Sequence, residues 1–278
     1  MIIRKIKEIV TGEHAIDGAG VNLVRVIGRP NVYSFDPFLM MDAFDSIDPD
    51  DYTKGFPWHP HRGIETITYL IKGDIEHGDS LGNKGRILDG QCQWMTAGSG
   101  IIHQEMPQAS ERMLGVQLWL NIPAKDKMTD PAYRDILSEM IPKIEDDASR
   151  VGILSGNYKD TDGAICGDYV KLRFLDVDIK PNREWAIDTQ SDKTLYIYII
   201  EGSGIFDEEK GLVESKRAIL FEQGDQLIVN ASKDGIRFLL FEGSPLKEPI
   251  AWGGPIVMNT QEELTQAFKD LDEGNFIK

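Results

Sequence analysis

Glycine interrupts this chain roughly every ten to twenty residues, and the runs between are short and rich in Ile, Leu, Val and Tyr. That rhythm predicts an all-β fold. Residues 21–27 read as a strand closed by Gly28-Arg29-Pro30, and residues 65–71 as one ending at Gly73. Short strands follow over 86–88, 93–96 and 101–106, with turn chemistry marking a hairpin tip at 79–83. In residues 114–120, Leu114, Val116, Leu118 and Leu120 alternate with Gly115, Gln117 and Trp119, the pattern of a half-buried strand. From Pro131 to Met140 the alternation stops and Pro142 follows, so a short helix and a linker are expected there. Near the end, Thr260-Gln261-Glu262-Glu263 is a capping box, followed by Leu264, Ala267, Phe268 and Leu271 at helical spacing and by Gly274. One short helix should therefore pack its apolar stripe on a barrel.

At 278 residues the chain has room for two domains, and the change of pattern divides it into residues 1–140 and 141–278. A weak repeat supports two similar β-barrels. Tyr69-Leu70-Ile71-Lys72-Gly73 is echoed by Tyr198-Ile199-Ile200-Glu201-Gly202, and Asp89-Gly90-Gln91 by Gln223-Gly224-Asp225. Overlaying the copies sets Asp188 and Gln190 against His59 and His61, and residues 237–240 against His103 and Glu105. No histidine follows His103, so one metal site is expected, in the first half only.

Thirty basic against 46 acidic residues give a formal charge of −16, with no Lys/Arg cluster, which argues against direct nucleic-acid binding. Cys92 and Cys166, far apart and outside any CxxC pattern, fit a reducing compartment and read as small buried apolar residues. The N-terminus lacks a signal-peptide block and no apolar run reaches membrane-spanning length. A soluble, cytoplasmic monomer without membrane contact is expected.

Four of the five histidines fall between Phe56 and Pro107. His59-Pro60-His61 and His103-Gln104-Glu105 each place two coordinating groups at i,i+2, which on a strand point to one face. Three imidazoles and one carboxylate suit a borderline ion such as Fe, Mn, Ni, Cu, Co or Zn. Glu65 has the same strand parity as His61, so spacing leaves Glu65 and Glu105 both open as the carboxylate. Gly63, between His61 and Glu65, could host a bulge that swings Glu65 away. His14 and His77 read as ordinary residues, His77 as solvated beside the hairpin tip. Trp58, Trp94 and Trp119 read as core or rim, and the acidic stretch 45–51, which lacks EF-hand spacing, as a solvated loop.

HPHRGIETITYLIKG resembles the first cupin motif, and the segment from Gly90 to Glu105 a variant of the second. The wording DPFLMMDAF, FPWHPHRGIETITYLIKGDIEHGDSLGNKG, QWMTAGSGIIHQEMP, VQLWLNIP and GGPIVMNT is similar to the pirin family. The resemblance implies two tandem cupin barrels, of the double-stranded β-helix or jelly-roll type. It further implies one iron, as Fe(II), held by His59, His61, His103 and Glu105 in the first barrel; the chemistry of such a ligand set makes Glu105 also the candidate base. The implied activity is that of a quercetin 2,3-dioxygenase, with a flavonol and O2 as substrates. Eukaryotic pirins are also described as transcriptional cofactors, so the alternative is a metal-dependent regulatory protein that binds a protein partner without turnover.

Overall fold

The computed structural model describes residues 1–277, and they form two compact units, each all-β apart from a few short helical turns and one helix. The chain opens with β1 (Ile6–Thr11) and then builds most of the first unit. Its strands are β2 (Glu13–Asp17), β3 (Val21–Ile27), β4 (Phe38–Ser46), β5 (Phe56–His61), β6 (Ile64–Lys72) and β7 (Ile75–Asp79). They continue with β8 (Lys84–Ile87), β9 (Cys92–Thr96), β10 (Ile101–Pro107), β11 (Met113–Asn121) and β12 (Ala132–Ile136). The second unit follows with β13 (Lys143–Glu145), β14 (Ser149–Ser155), the small hairpin β15 (Asn157–Tyr158) and β16 (Thr161–Asp162), and β17 (Arg173–Ile179). It is completed by β18 (Glu184–Asp188), β19 (Thr194–Ile205), β20 (Leu212–Glu214), β21 (Arg217–Phe221) and β22 (Gln226–Gly243). The chain ends with β23 (Ala251–Gly253), β24 (Ile256–Met258) and α1 (Gln261–Asp272).

The units share a topology. One carries a sheet ordered β12-β9-β6-β11-β4-β3-β2, faced by β5-β10-β7-β8. The other runs β1-β21-β19-β22-β17-β14-β13, with β18 on β22 and β20 on β19. Strand for strand, β19 corresponds to β6 and β7 run together, and β22 to β10 and β11 run together. The ends of the chain are exchanged: residues 1–12 group with the second unit, where β1 takes the place of β12, and the segment from Leu246 groups with the first. This differs from the sequential split at residue 140, because edge-strand pairing and helix docking are long-range and leave no local mark. The helix expected after Pro131 is instead β12, paired with β9 through Tyr133↔Met95 and Arg134↔Trp94, and followed by a short 3-10 turn. Its residues complete a sheet edge, and that pairing overrides the missing alternation.

β11 is buried along its whole length rather than on one face, because it runs centrally between β4 and β6. Cys92 is buried as expected, whereas Cys166 is exposed. α1 begins with the capping box on Thr260 and Glu263 and buries Leu264 and Ala267. Among the described residues no helix is long and apolar enough to cross a membrane.

The structural correspondence corrects the repeat alignment. In the first unit His103 pairs with His59, Ile101 with His61, and Glu105 with His77. The equivalent pairs in the second unit are Val229 with Trp185, Leu227 with Ile187, and Ala231 with Gly204. The positions of His59, His61, His103 and Glu105 are thus taken by Trp185, Ile187, Val229 and Ala231. Asp188, Gln190 and residues 237–240 are not their equivalents. Loop lengths differ between the copies, so counting from the shared Gly73/Gly202 slips. Trp185, Ile187 and Val229 belong to one continuous apolar core, against which Ala231 packs. Each fully buried aliphatic or aromatic side chain stabilises by roughly 1.5–3 kcal/mol, so packing fills that interior without a metal.

Candidate metal centre

Four strands converge on the centre in the first unit. β5 and β10 lie side by side, and the His103↔His59 register brings the i,i+2 pairs of both strands to one inner face. The His59 and His61 Nε2 atoms are 3.0 Å apart, and His103 Nε2 lies 2.9 Å from His59 Nε2. The ligand atoms of these three residues all lie within 4.8 Å of one another. His61 and His103 are buried, and His59 is half-buried. His59 Nδ1 donates to Pro57 O at 2.8 Å and His61 Nδ1 to Pro255 O at 3.1 Å, which leaves both Nε2 lone pairs directed inward. Burial pushes the His61 imidazole down to about 3 and lowers His103 well below its ordinary value, so both are neutral at physiological pH. Three converging imidazole nitrogens, two of them neutral, match the donor set of a metal site.

Glu105 lies two residues beyond His103 on β10 and is buried. It stands outside the tight histidine cluster. Thr68 Oγ1 donates to its Oε1 at 3.0 Å, and Gln117 Nε2 to its Oε2 at 2.6 Å. Thr68 and Gln117 are cross-strand partners on β6 and β11, so they hold the carboxylate from the opposing sheet. Glu65 does not keep the expected parity. Gly63 adopts φ +78° between β5 and β6, which shifts the phase, so Thr66 and Thr68 face inward and Glu65 faces the other way. There it accepts from its register partner Thr96 at 2.7 Å. A Cβ on Gly63 would stand 2.0 Å from Val257 O, a second reason for glycine at this junction.

His77 is buried rather than solvated. Its ring meets the Tyr133 hydroxyl, which accepts from Gln93 Nε2 at 2.7 Å and donates to Asp135 at 2.7 Å. Burial lowers His77 and raises the Tyr133 hydroxyl. Trp94 and Trp119 are core residues, and Trp58 is 53% exposed. Trp119 stands edge-on to the His61 ring with centroids 5.0 Å apart. The polar residues Thr68, Gln93 and Gln117, along with Tyr133, did not stand out in the sequence. A signal existed for the first three, since each is a polar residue inside a strand otherwise apolar on that stretch.

The last segment of the chain braces the centre. Arg62, next to His61, is fully buried, donates to Asp270 at 2.7 Å and Phe276 O at 3.1 Å, and lies over the Phe276 ring. Lys127 Nζ donates to Gly63 O, Asn121 Oδ1 and Val257 O at 2.7–3.0 Å. Burial pushes its pKa down to about 7, outweighing the nearby Glu248 and Glu263 carboxylates, which favour its ammonium form. The unfolded chain therefore binds the Lys127 proton more tightly between pH 7 and the ordinary lysine value near 10.4, so folding stability gains from this group as pH rises through that window. Denaturant titrations of the wild type and Lys127→Met should show that rising contribution in the wild type alone. Parallel pH profiles would refute it.

Family models describe residues 20–120 as pirin and residues 174–277 as the pirin C-terminal cupin domain. A Pseudomonas aeruginosa protein provisionally named a quercetin 2,3-dioxygenase is 42% identical, covering 98% of this chain and 97% of its own. A crystal structure of quercetin 2,3-dioxygenase from Acinetobacter baumannii superposes with a TM-score of 0.89 at 30% identity, covering 99% of this chain and 98% of that one. A bacterial pirin from Escherichia coli in complex with nickel(II) shares the fold, with a TM-score of 0.67 at 19% identity over 86% of this chain and 98% of that one.

Proposed function

Because this chain belongs to the pirin family, we propose that it is a metal-dependent dioxygenase that opens the central ring of quercetin-like flavonols with O2. The observation that carries this reading is the convergence of three histidine nitrogens, two of them buried and held neutral. The proposed ligands are His59, His61, His103 and Glu105, and the proposed metal is Fe(II). When bound, that metal supplies Lewis acidity toward a substrate hydroxyl and redox access to dioxygen.

The chain supplies the rest. The Nδ1 bonds to Pro57 and Pro255 orient two imidazoles before any ligand arrives. Thr68 and Gln117 fix the Glu105 carboxylate while leaving it unused lone pairs for a metal or for the proton of an enolic hydroxyl. Apolar walls from Ile64, Met95, Ile101 and Trp119 keep water from the reacting ring. Gln117→Leu removes one of the two donors holding Glu105, and metal affinity is expected to fall about 10–100-fold, as for other groups that orient a metal ligand. Competition with a chelating dye measures this, and unchanged affinity would refute the role.

Metal dependence tests the function. Protein stripped of metal and reloaded separately with iron, manganese, nickel, copper, cobalt or zinc should bleach the quercetin absorbance only with a redox-active ion, best with iron. Bleaching equally fast without metal would refute the reading.

A further inference from the structure

The inner face of the first unit holds three buried polar atoms that no protein group satisfies among the described residues: Trp119 Nε1, Thr66 Oγ1 and Gln93 Oε1. Their residues are 8%, 1% and 1% exposed. Buried groups of this kind usually have partners, and three on one face form a pattern. Trp119 and Thr66 are register partners on β11 and β6. Gln93 belongs to the next row, opposite Thr68, which also carries Gln117. The indole N–H only donates, the amide oxygen only accepts, and the hydroxyl does either. Trp119 stands against the His61 ring, so this open pair borders the metal centre.

Resting on the dioxygenase reading, we propose that these atoms select the substrate: Trp119 and Thr66 donate to one carbonyl oxygen of a hydroxylated aromatic ketone, and Gln93 accepts from one of its phenolic hydroxyls. A carbonyl oxygen has two lone pairs and takes both donors. Adjacent strands bring the two donors within reach of a single atom, and Gln93, one row along, lies one strand spacing from Thr66 and two from Trp119, roughly 8–12 Å away at the backbone. Gln93 keeps its amide turned by the Nε2 bond to Tyr133. Thr68 and Gln117 are already committed to Glu105, so the vacant positions are those beside it.

The test is binding without turnover. The full-length chain is loaded with zinc, which has no redox chemistry, and titrated with quercetin and with a flavan-3-ol of the same ring system that lacks the carbonyl. Trp119→Phe and Thr66→Val should each weaken quercetin about tenfold, as loss of one buried hydrogen bond does, and leave the flavan-3-ol and the zinc stoichiometry unchanged. Gln93→Leu should weaken quercetin but not a flavonol without pendant-ring hydroxyls. Equal affinities, or equal losses for both ligands of a pair, would overturn the inference, since a packing defect acts on both. Failure of the wild type to bind quercetin would overturn it as well. If the selective losses appear and the iron-loaded protein consumes no oxygen, the inference stands and the dioxygenase reading falls.

Discussion

Truncation after Pro245 is expected to abolish stoichiometric metal binding, although every histidine of the centre lies before residue 104. Pro255 O accepts from His61 Nδ1, Val257 N donates to Arg62 O, and Lys127 ties Gly63 to Val257 O. Removing one such orienting partner typically costs 10–100-fold in metal affinity, and truncation removes all of them. It also strips a cluster of Ile256, Met258, Leu264, Ala267 and Phe276 from the first unit, at roughly 1.5–3 kcal/mol for each large side chain. Elemental analysis of the truncated chain is the measurement. Arg62→Met in the full-length protein is the milder companion, expected to keep the fold and weaken metal binding about tenfold. Equimolar metal on the truncated chain would show that the terminal segment is only a cover.

Glu105→Ala should weaken metal binding by more than 100-fold, against less than tenfold for Glu65→Ala. Glu105 is the proposed direct ligand, and losing a direct ligand exceeds the usual 10–100-fold effect of losing an orienting group. Glu65 faces away from the histidines and bonds to Thr96, so its removal perturbs packing more than coordination. Glu105→Gln separates two roles, because an amide oxygen still coordinates but takes no proton. A base role predicts retained metal with loss confined to kcat. Isothermal titration of the three variants decides it, and a larger loss at Glu65 would contradict the assignment.

The candidate centre was legible because its chemistry is local. HPH and HQE each span three residues, and strand periodicity aims their side chains without tertiary knowledge. The capping box at Thr260 was legible for the same reason. What escaped depends on long-range pairing. His61 and Pro255 are 194 residues apart, and nothing in the local sequence of either announces the bond. That β1 takes in the second unit the edge that β12 takes in the first is equally silent, since an edge strand reads alike in either barrel. Gly63 marked a break, but whether it reversed Glu65 depended on a backbone angle. His77 was misread because burial came from β12, read as a helix.

Turnover of a flavonol at the histidine centre is the activity proposed for this chain. Protein reconstituted anaerobically with one Fe(II) per chain would be mixed with quercetin and oxygenated buffer, and O2 uptake and carbon monoxide release recorded together. One O2 consumed and one CO released per quercetin, both lost in His103→Ala, is the predicted result. A fully iron-loaded wild type that takes up no oxygen with quercetin or any other flavonol would contradict it.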